Sequence, residues 1–141
     1  MREIICKAKR KDIDKVTDKW IEGYYVCFNG ERHRIYTGHA DINYTLYPEY
    51  YEIDIDTLCQ LTHMTDINGD KLWENDIVET SNGFLLQIVW SDTYHEFLFK
   101  NLKGRYDFMK GMVSELSSFT RDKNIKIVGN VFDNLDLIKE A

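Results

Sequence analysis

Proline is nearly missing from this chain of 141 residues, occurring once at Pro48, and no stretch is repetitive or of low complexity. Nothing therefore reads as a linker between independent domains, and the length suits one domain. The expectation is a single compact unit over 1–141, with a subdivision into 1–59 and 60–141 as its variant. Cysteine is scarce and unpatterned: Cys6, Cys27 and Cys59 are far apart and lie in apolar runs, which reads as reduced, mostly buried thiols. No run approaches the roughly 18 apolar residues of a membrane-spanning helix, and the opening MREIICKAKRKD has no apolar signal region. A soluble, cytoplasmic protein without a membrane partner is expected. Positive charge is short as well, and a net charge of −6 disfavours a general affinity for nucleic-acid backbones.

The motifs of common chemistries are also missing. There is no GxGxxG and no GxxxxGK[ST] phosphate loop. His33, His39, His63 and His95 are dispersed and no cysteine pair has C-x2-C spacing, so no zinc site is expected. One stretch invites a metal reading: TDINGDKLWENDIVE, residues 65–79, sets Asp66, Asn68 and Asp70 at alternate positions beside Gly69. A calcium loop of the EF-hand type needs glycine at its sixth position and glutamate at its twelfth, where this chain has Lys71 and Ile77. The stretch reads instead as a turn built by Asp and Asn side chains with Gly69 at positive φ, a second reversal at Asn75-Asp76, and Leu72, Trp73, Ile77 and Val78 as packing anchors. The pairs Asp54/Asp56 and Glu74/Asp76 have the i, i+2 spacing that shares a strand face, but such pairs occur by chance in an acidic chain. No catalytic residue, cofactor or metal is assigned.

What the chain does have is aromatic and β-branched residues in short runs. Nine Tyr, seven Phe and three Trp bring the aromatic content to 13%, within 43% hydrophobic residues. Runs of Val, Ile, Tyr and Phe bounded by Gly, Asn or Asp are strand signals. They place strands at 2–8, 19–28, 76–80, 84–90, 95–102 and 125–132, with a turn near 12–18 and an irregular extended segment over 44–55. Gly23 inside the second run implies a bulge or a close backbone approach. Asn29-Gly30 between YYVCF and RHRIYTG is the sequence of a type I′ hairpin turn. Apolar residues at 108, 109, 112, 113, 116 and 119 have helical spacing, and a short helix over 134–140 is expected behind Asp133 or Asn134 as its cap. The fold class is mainly β, or α+β, as a β-meander or small barrel with one or two short helices.

Charge is uneven along the chain. Lys7, Lys9, Arg10, Lys11 and Lys15 crowd the start, near Trp20, Tyr24 and Tyr25, and basic side chains among aromatics on a β surface are one way to bind single-stranded nucleic acid. Lysines in water over a core strand account for the same pattern.

Several segments together resemble the YopX family of bacteriophage and prophage proteins. The opening MREIICKAKRKD is similar to the family's MREIKFRAKR-like start, and KWIEGYYV to its EWVYGYLV-like segment. YYEIDIDTLCQLT stands before the central stretch as IDPETVGQYT does. Within the central TGLKDKNGKEIYEGDIV-like signature, Thr62, Asp66, Asn68, Gly69, Glu74, Asp76, Ile77 and Val78 match, and Leu72 and Trp73 are similar in kind. QIVW resembles the family's VVEW strand, and IKIVGNVFDNLDLI its EVIGNIYENPELL ending. The signature departs at two glycines, replaced here by His63 and Asn75. The resemblance implies a β-rich or α+β fold, a phage origin and a place in the host cytoplasm, and it implies no reaction. By analogy, a turn, Asp-Ile-Val and a following LQIVW hairpin suggest an SH3-like small barrel over 60–141.

Three readings follow. The first is a non-enzymatic interaction module whose partner is a host or phage protein. The second is binding of single-stranded nucleic acid through Lys7, Lys9, Arg10 and Lys11. The third is an enzyme using the acidic middle of the chain. The aromatic surplus or an exposed strand edge is also compatible with a homo-oligomer.

Overall fold

The computed structural model describes residues 3–12, 15–37, 49–81, 83–103, 113–115 and 125–139. The chain divides into two compact units, Met1–Leu61 and Thr62–Ala141. Both are built from antiparallel strands, so the mainly β expectation holds.

In the first unit, β1 (Cys6–Asp12), β2 (Lys15–Phe28), β3 (Arg32–Tyr36) and β4 (Tyr50–Glu52) form a meander. β1 starts and ends four residues later than the apolar run at 2–8 suggests. Its ladder with β2 runs from Cys6↔Gly23 to Asp12↔Lys15, with a register shift between Lys9 and Lys11. The reversal expected near 12–18 falls between Asp12 and Lys15, whose two intervening residues lie outside the described ones, and Lys15–Asp18 belong to β2 because the ladder satisfies their backbone. Beyond β4, Ile53 bridges back to Arg10, and Asp54 N donates to Lys9 O at 2.9 Å. The sheet thus curls over a small core of Ala8, Ile35 and Ile53, flanked by Ile21, Tyr25 and Leu58, without closing a barrel. A single 3-10 turn, Ile55–Thr57, leads into β5 (Cys59–Thr65), whose first residues pair with β1.

Two local readings hold in detail. Asn29 and Gly30 have φ of 54° and 70°, and Glu31 N donates to Phe28 O at 3.1 Å, as a type I′ turn requires. The ladder then begins one residue further on, at Phe28↔Arg32. Gly23 marks a close approach: a Cβ there would overlap the carbonyl oxygen of Tyr36.

β5 runs on past Leu61 into the second unit and is followed by β6 (Lys71–Trp73), so the first sheet has the order β4-β3-β2-β1-β5-β6. The second sheet is built from β7 (Asp76–Thr80), β8 (Leu85–Ser91), β9 (Glu96–Lys103) and, near the C-terminus, β11 (Ile125–Asn130), with the short β10 (Val113–Glu115) on its edge. Its order is β10-β9-β8-β7-β11. It is an open sheet, and no closed barrel is present among the described residues. One side buries Val78, Leu86, Ile88, Phe97, Phe99 and Ile125 with Leu72; the other buries Ile77, Leu85 and Leu102 under Val128, Val131, Leu137 and Ile138.

The helix expected over 108–119 is not formed at Val113–Glu115, which pairs with Lys100, Phe99 and Leu98 as a strand. The remainder of that segment lies outside the described residues. Serine is a weak helix former, and the open edge of β9 offers these residues a ladder that the 3.6-residue spacing does not reveal. The C-terminal helix is α1 (Leu135–Lys139). Asn134 precedes it, but its Oδ1 accepts from Asn130 N at 3.1 Å, in the space left by Gly129, and not from the helix.

Candidate functional site

Two groups of residues stand out from the sequence, the signature around TDINGDKLWENDIVE and the basic start of the chain, and they take different structural roles.

The signature is a set of backbone staples. Thr62 Oγ1 donates to Leu72 O at 2.7 Å and accepts from Met64 N at 3.1 Å, which ties β5 to β6. Asp66 is only 4% exposed, and its Oδ1 accepts from the amides of Asn68 and Asp70, both at 2.9 Å. Its Oδ2 accepts from Ile127 N at 3.1 Å, across 61 residues of chain. Ile67 N donates to Ile125 O at 2.9 Å, so the turn occupies the outer edge of β11. Burial by itself would raise the Asp66 pKa, but the three backbone N–H donors, of Ile127, Asp70 and Asn68, together with the Lys126 charge, hold it below the usual carboxylate value. Gly69 takes φ of 82°, as the turn reading requires.

The second half of the signature works the same way. Asp76 Oδ2 accepts from Trp73 N at 2.8 Å, closing the reversal through Glu74 and Asn75. Asn75 has φ of 71°, its N donates to Ile88 O at 2.7 Å, and its O accepts from Val131 N at 3.1 Å. Leu72, Trp73, Ile77 and Val78 are buried, as their reading as anchors expects. His63 holds φ of 66°, so the backbone keeps the conformation that favours glycine although the side chain has changed. Both departures from the family pattern are therefore left-handed positions. Asp66 and Asp76 are buried and bonded to backbone amides, while Asp70 and Glu79 of the same stretch are exposed and Glu74 is half-buried. The other acidic pair is no strand-face pair: Asp54 caps the 3-10 turn and accepts from Asp56 N at 3.1 Å. Among the described residues no three His, Cys, Asp or Glu side chains are placed so that they could hold a metal ion.

The basic residues are not gathered on one surface. Lys7 and Lys9 extend over the Trp20 ring, with Nζ 4.7 and 5.7 Å from its centroid, and Lys9 lies 3.8 Å from Asp18. Arg10 instead lies over Tyr51 and pairs with Asp12 at 2.5 Å. Lys11 lines a cleft of about 740 Å3 with Arg32, His33, Glu52, Asp54 and Asp56, where charges of both signs alternate. His33 Nδ1 in that cleft is 2.7 Å from the Tyr25 hydroxyl, and Glu52 is bonded to Arg34.

A surface the motifs did not indicate is the outward side of β2, β3 and β4. Tyr24, Tyr36 and Tyr50 form one cross-strand row, Val26, Arg34 and Glu52 the next, and Phe28 and Arg32 a third. Tyr36 and Tyr50 have ring centroids 5.4 Å apart. The Arg34 guanidinium lies between Phe28 and Tyr50, 5.0 and 4.3 Å from their ring centroids, and Nε pairs with Glu52 at 2.8 Å. The alternation Tyr24, Val26, Phe28 was the available sequence signal, but periodicity does not say which set of alternate residues faces water. Such a row of rings and one neutralised guanidinium can stack and pack; it carries no group placed for proton transfer.

Comparison with known families comes down on one side. The family model described as YopX protein matches residues 12–139, nearly the whole chain, and the chain belongs to that family. No curated protein matches it.

Proposed function

We propose that this YopX family protein is a non-enzymatic interaction module of a phage or prophage, working in the host cytoplasm, and that it contacts another protein through the outward side of β2, β3 and β4. One observation carries the reading: Tyr24 and Tyr50 are 44% exposed, Phe28 39% and Val26 36%, in adjoining rows of one sheet. Single exposed apolar residues are ordinary, whereas contiguous ones mark contact surfaces. The buried, bonded state of Asp66 and Asp76 supports a non-enzymatic reading of the signature. Protein is favoured over nucleic acid because the cations beside the rings have acids next to them: Lys9 has Asp18, and Arg34 has Glu52. Backbone phosphates bind where cations are in excess.

The test is photo-crosslinking in host cells from a benzophenone side chain placed at Val26, with Tyr94 of the second unit, also exposed, as the control position. A protein adduct at position 26 and none at 94 is the expected result. Equal labelling at both positions, or no protein adduct at 26, rejects the surface. Tight, steeply salt-dependent binding of a single-stranded oligonucleotide that disappears in Arg34→Ala replaces it with the nucleic-acid reading.

A further inference from the structure

β2 is longer than either of its neighbours in the sheet, and it changes partner on the way. Its first part, Lys15 to Gly23, pairs with β1, and Tyr24 to Phe28 pair with β3 on the other side. β1 begins at Cys6, opposite Gly23, and the described residues before it, Glu3 to Ile5, belong to no strand. Ile5 O accepts from Leu61 N at 2.8 Å, on the side of β5. Past Gly23, the edge of β2 that faces β1 therefore has no strand beside it among the described residues.

The ladder fixes where the main-chain groups of that edge point. Opposed residues of an antiparallel pair exchange either two backbone bonds or none, in alternation. Ile53 N donates to His33 O at 3.1 Å, so the His33 backbone is turned to the β4 side. Cys27, the cross-strand neighbour of His33, is then turned away from β3 as well, and so is Tyr25 two residues before it. Their N–H and C=O groups face the open edge, whereas those of Tyr24, Val26 and Phe28 face β3.

Nothing guards this edge. The run Tyr24 to Phe28 reads YYVCF, without a charge or a proline, whereas exposed strand edges ordinarily carry lysine, proline or a bulge that keeps other chains from pairing. β4, at the outer edge of the same sheet, has only three residues and ends on Glu52. Tyr24, Val26 and Phe28 stand exposed on the outward side of the open edge, and Cys27 is exposed as well.

Resting on the reading of β2, β3 and β4 as a contact surface, we infer that the partner protein adds an extended segment of its own chain to Tyr24–Phe28 as a further strand. Main-chain bonds to Tyr25 and Cys27 fix the position of this segment, and its apolar residues, at alternate positions, fall in line with Tyr24, Val26 and Phe28. A second copy of β2 fits less well. In an antiparallel pair centred on Val26, Asn29 of each copy would oppose the other's Gly23, where Cys6 already stands. A segment that arrives alone brings no hairpin with it.

Amide hydrogen exchange of the free chain is the first test. Tyr25 and Cys27 should exchange roughly 100-fold faster than Val26 and Phe28, and equal protection of all four overturns the inference. The second test repeats the photo-crosslinking from position 26 in chains that also carry Cys27→Ser or Cys27→Pro. Proline removes an N–H that faces the edge and none from the β3 ladder, so Cys27→Pro should lower the protein adduct about tenfold or more while Cys27→Ser keeps it. Circular dichroism confirms that both variants are folded. An undiminished adduct in folded Cys27→Pro overturns the added strand and leaves the contact surface standing, whereas no adduct in the unsubstituted background removes both. If Cys27→Pro unfolds the chain, the labelled sites decide: benzophenone at positions 24 and 28 should mark one partner segment at residues about four apart, as strand pairing requires. Labels on separate segments of the partner, or on a second copy of this chain, overturn the inference.

Discussion

The first unit buries little and displays much, while the second does the reverse. Ala8, Ile35 and Ile53 are the buried centre of the first, with larger rings turned outward on β2, β3 and β4. In the second, both sides of the sheet are covered, and seven buried residues around Phe99 form one cluster. The family signature lies almost wholly in this second unit, as the fastening of β5, β6, β7 and β11. The contrast separates two uses of aromatic and acidic residues. In the second unit they fix the chain path, and in the first they are left where another molecule can reach them.

The largest expected effect compares two phenylalanines. Phe99→Ala empties the centre of the second unit and should cost about 3–5 kcal/mol in chemical denaturation, whereas Phe28→Ser on the open face should cost no more than about 0.5 kcal/mol. Similar losses at both positions would erase the distinction.

Next is Asp66→Ala, which strands three backbone donors and should cost about 2–3 kcal/mol. Its pH dependence has a fixed sign. The folded pKa lies below the unfolded value, so the contribution of Asp66 is complete above the ordinary carboxylate pKa of 3.8 and is lost as pH falls through the folded pKa. Melting temperatures followed downward from neutral pH should therefore show a smaller acid loss in Asp66→Asn than in the wild type. An unchanged acid limb would mean that the staple is not carried by the charge.

In the first unit, Gly23→Ala should cost about 1–3 kcal/mol, because the new methyl group meets the Tyr36 backbone and not a yielding side chain. A silent Gly23→Ala would show that β2 and β3 part more easily than their ladder implies. Smallest is His63→Gly, expected to raise stability by about 1 kcal/mol by removing a non-glycine residue from positive φ. A loss in that variant would indicate that the His63 side chain contributes more than its backbone strain.

Local chemistry was legible wherever a residue decides its own conformation. Asn29-Gly30, Gly69 and Gly23 announced turns and a close approach, and Asp66 builds its turn with its own carboxylate, to which Asn68 contributes a backbone N–H. The runs now seen as β7, β8, β9 and β11 were legible because each is short, β-branched and ended by a turn. Where backbone partners came from elsewhere in the chain, the reading slipped. β1 runs on through its lysines because β2 is there to pair with it, and Val113–Glu115 became a strand because β9 has an open edge. Of the candidate surface, the aromatic alternation was visible but its outward direction was not.

By itself the sequence determined strands in place of long helices, the sites of the hairpins, the burial of Leu72, Trp73, Ile77 and Val78, and membership of the YopX family. These follow from side-chain volume, β-branching and the φ angles that glycine and asparagine tolerate, all properties of residues and their near neighbours. Tertiary structure alone decided that Asp66 reaches Ile127, that Lys7 and Lys9 settle on Trp20, and that Tyr24, Val26 and Phe28 meet water while Ile21 and Tyr25 do not. A period of two sorts a strand into two faces, and only the elements packed against one of them determine which face is left for a partner.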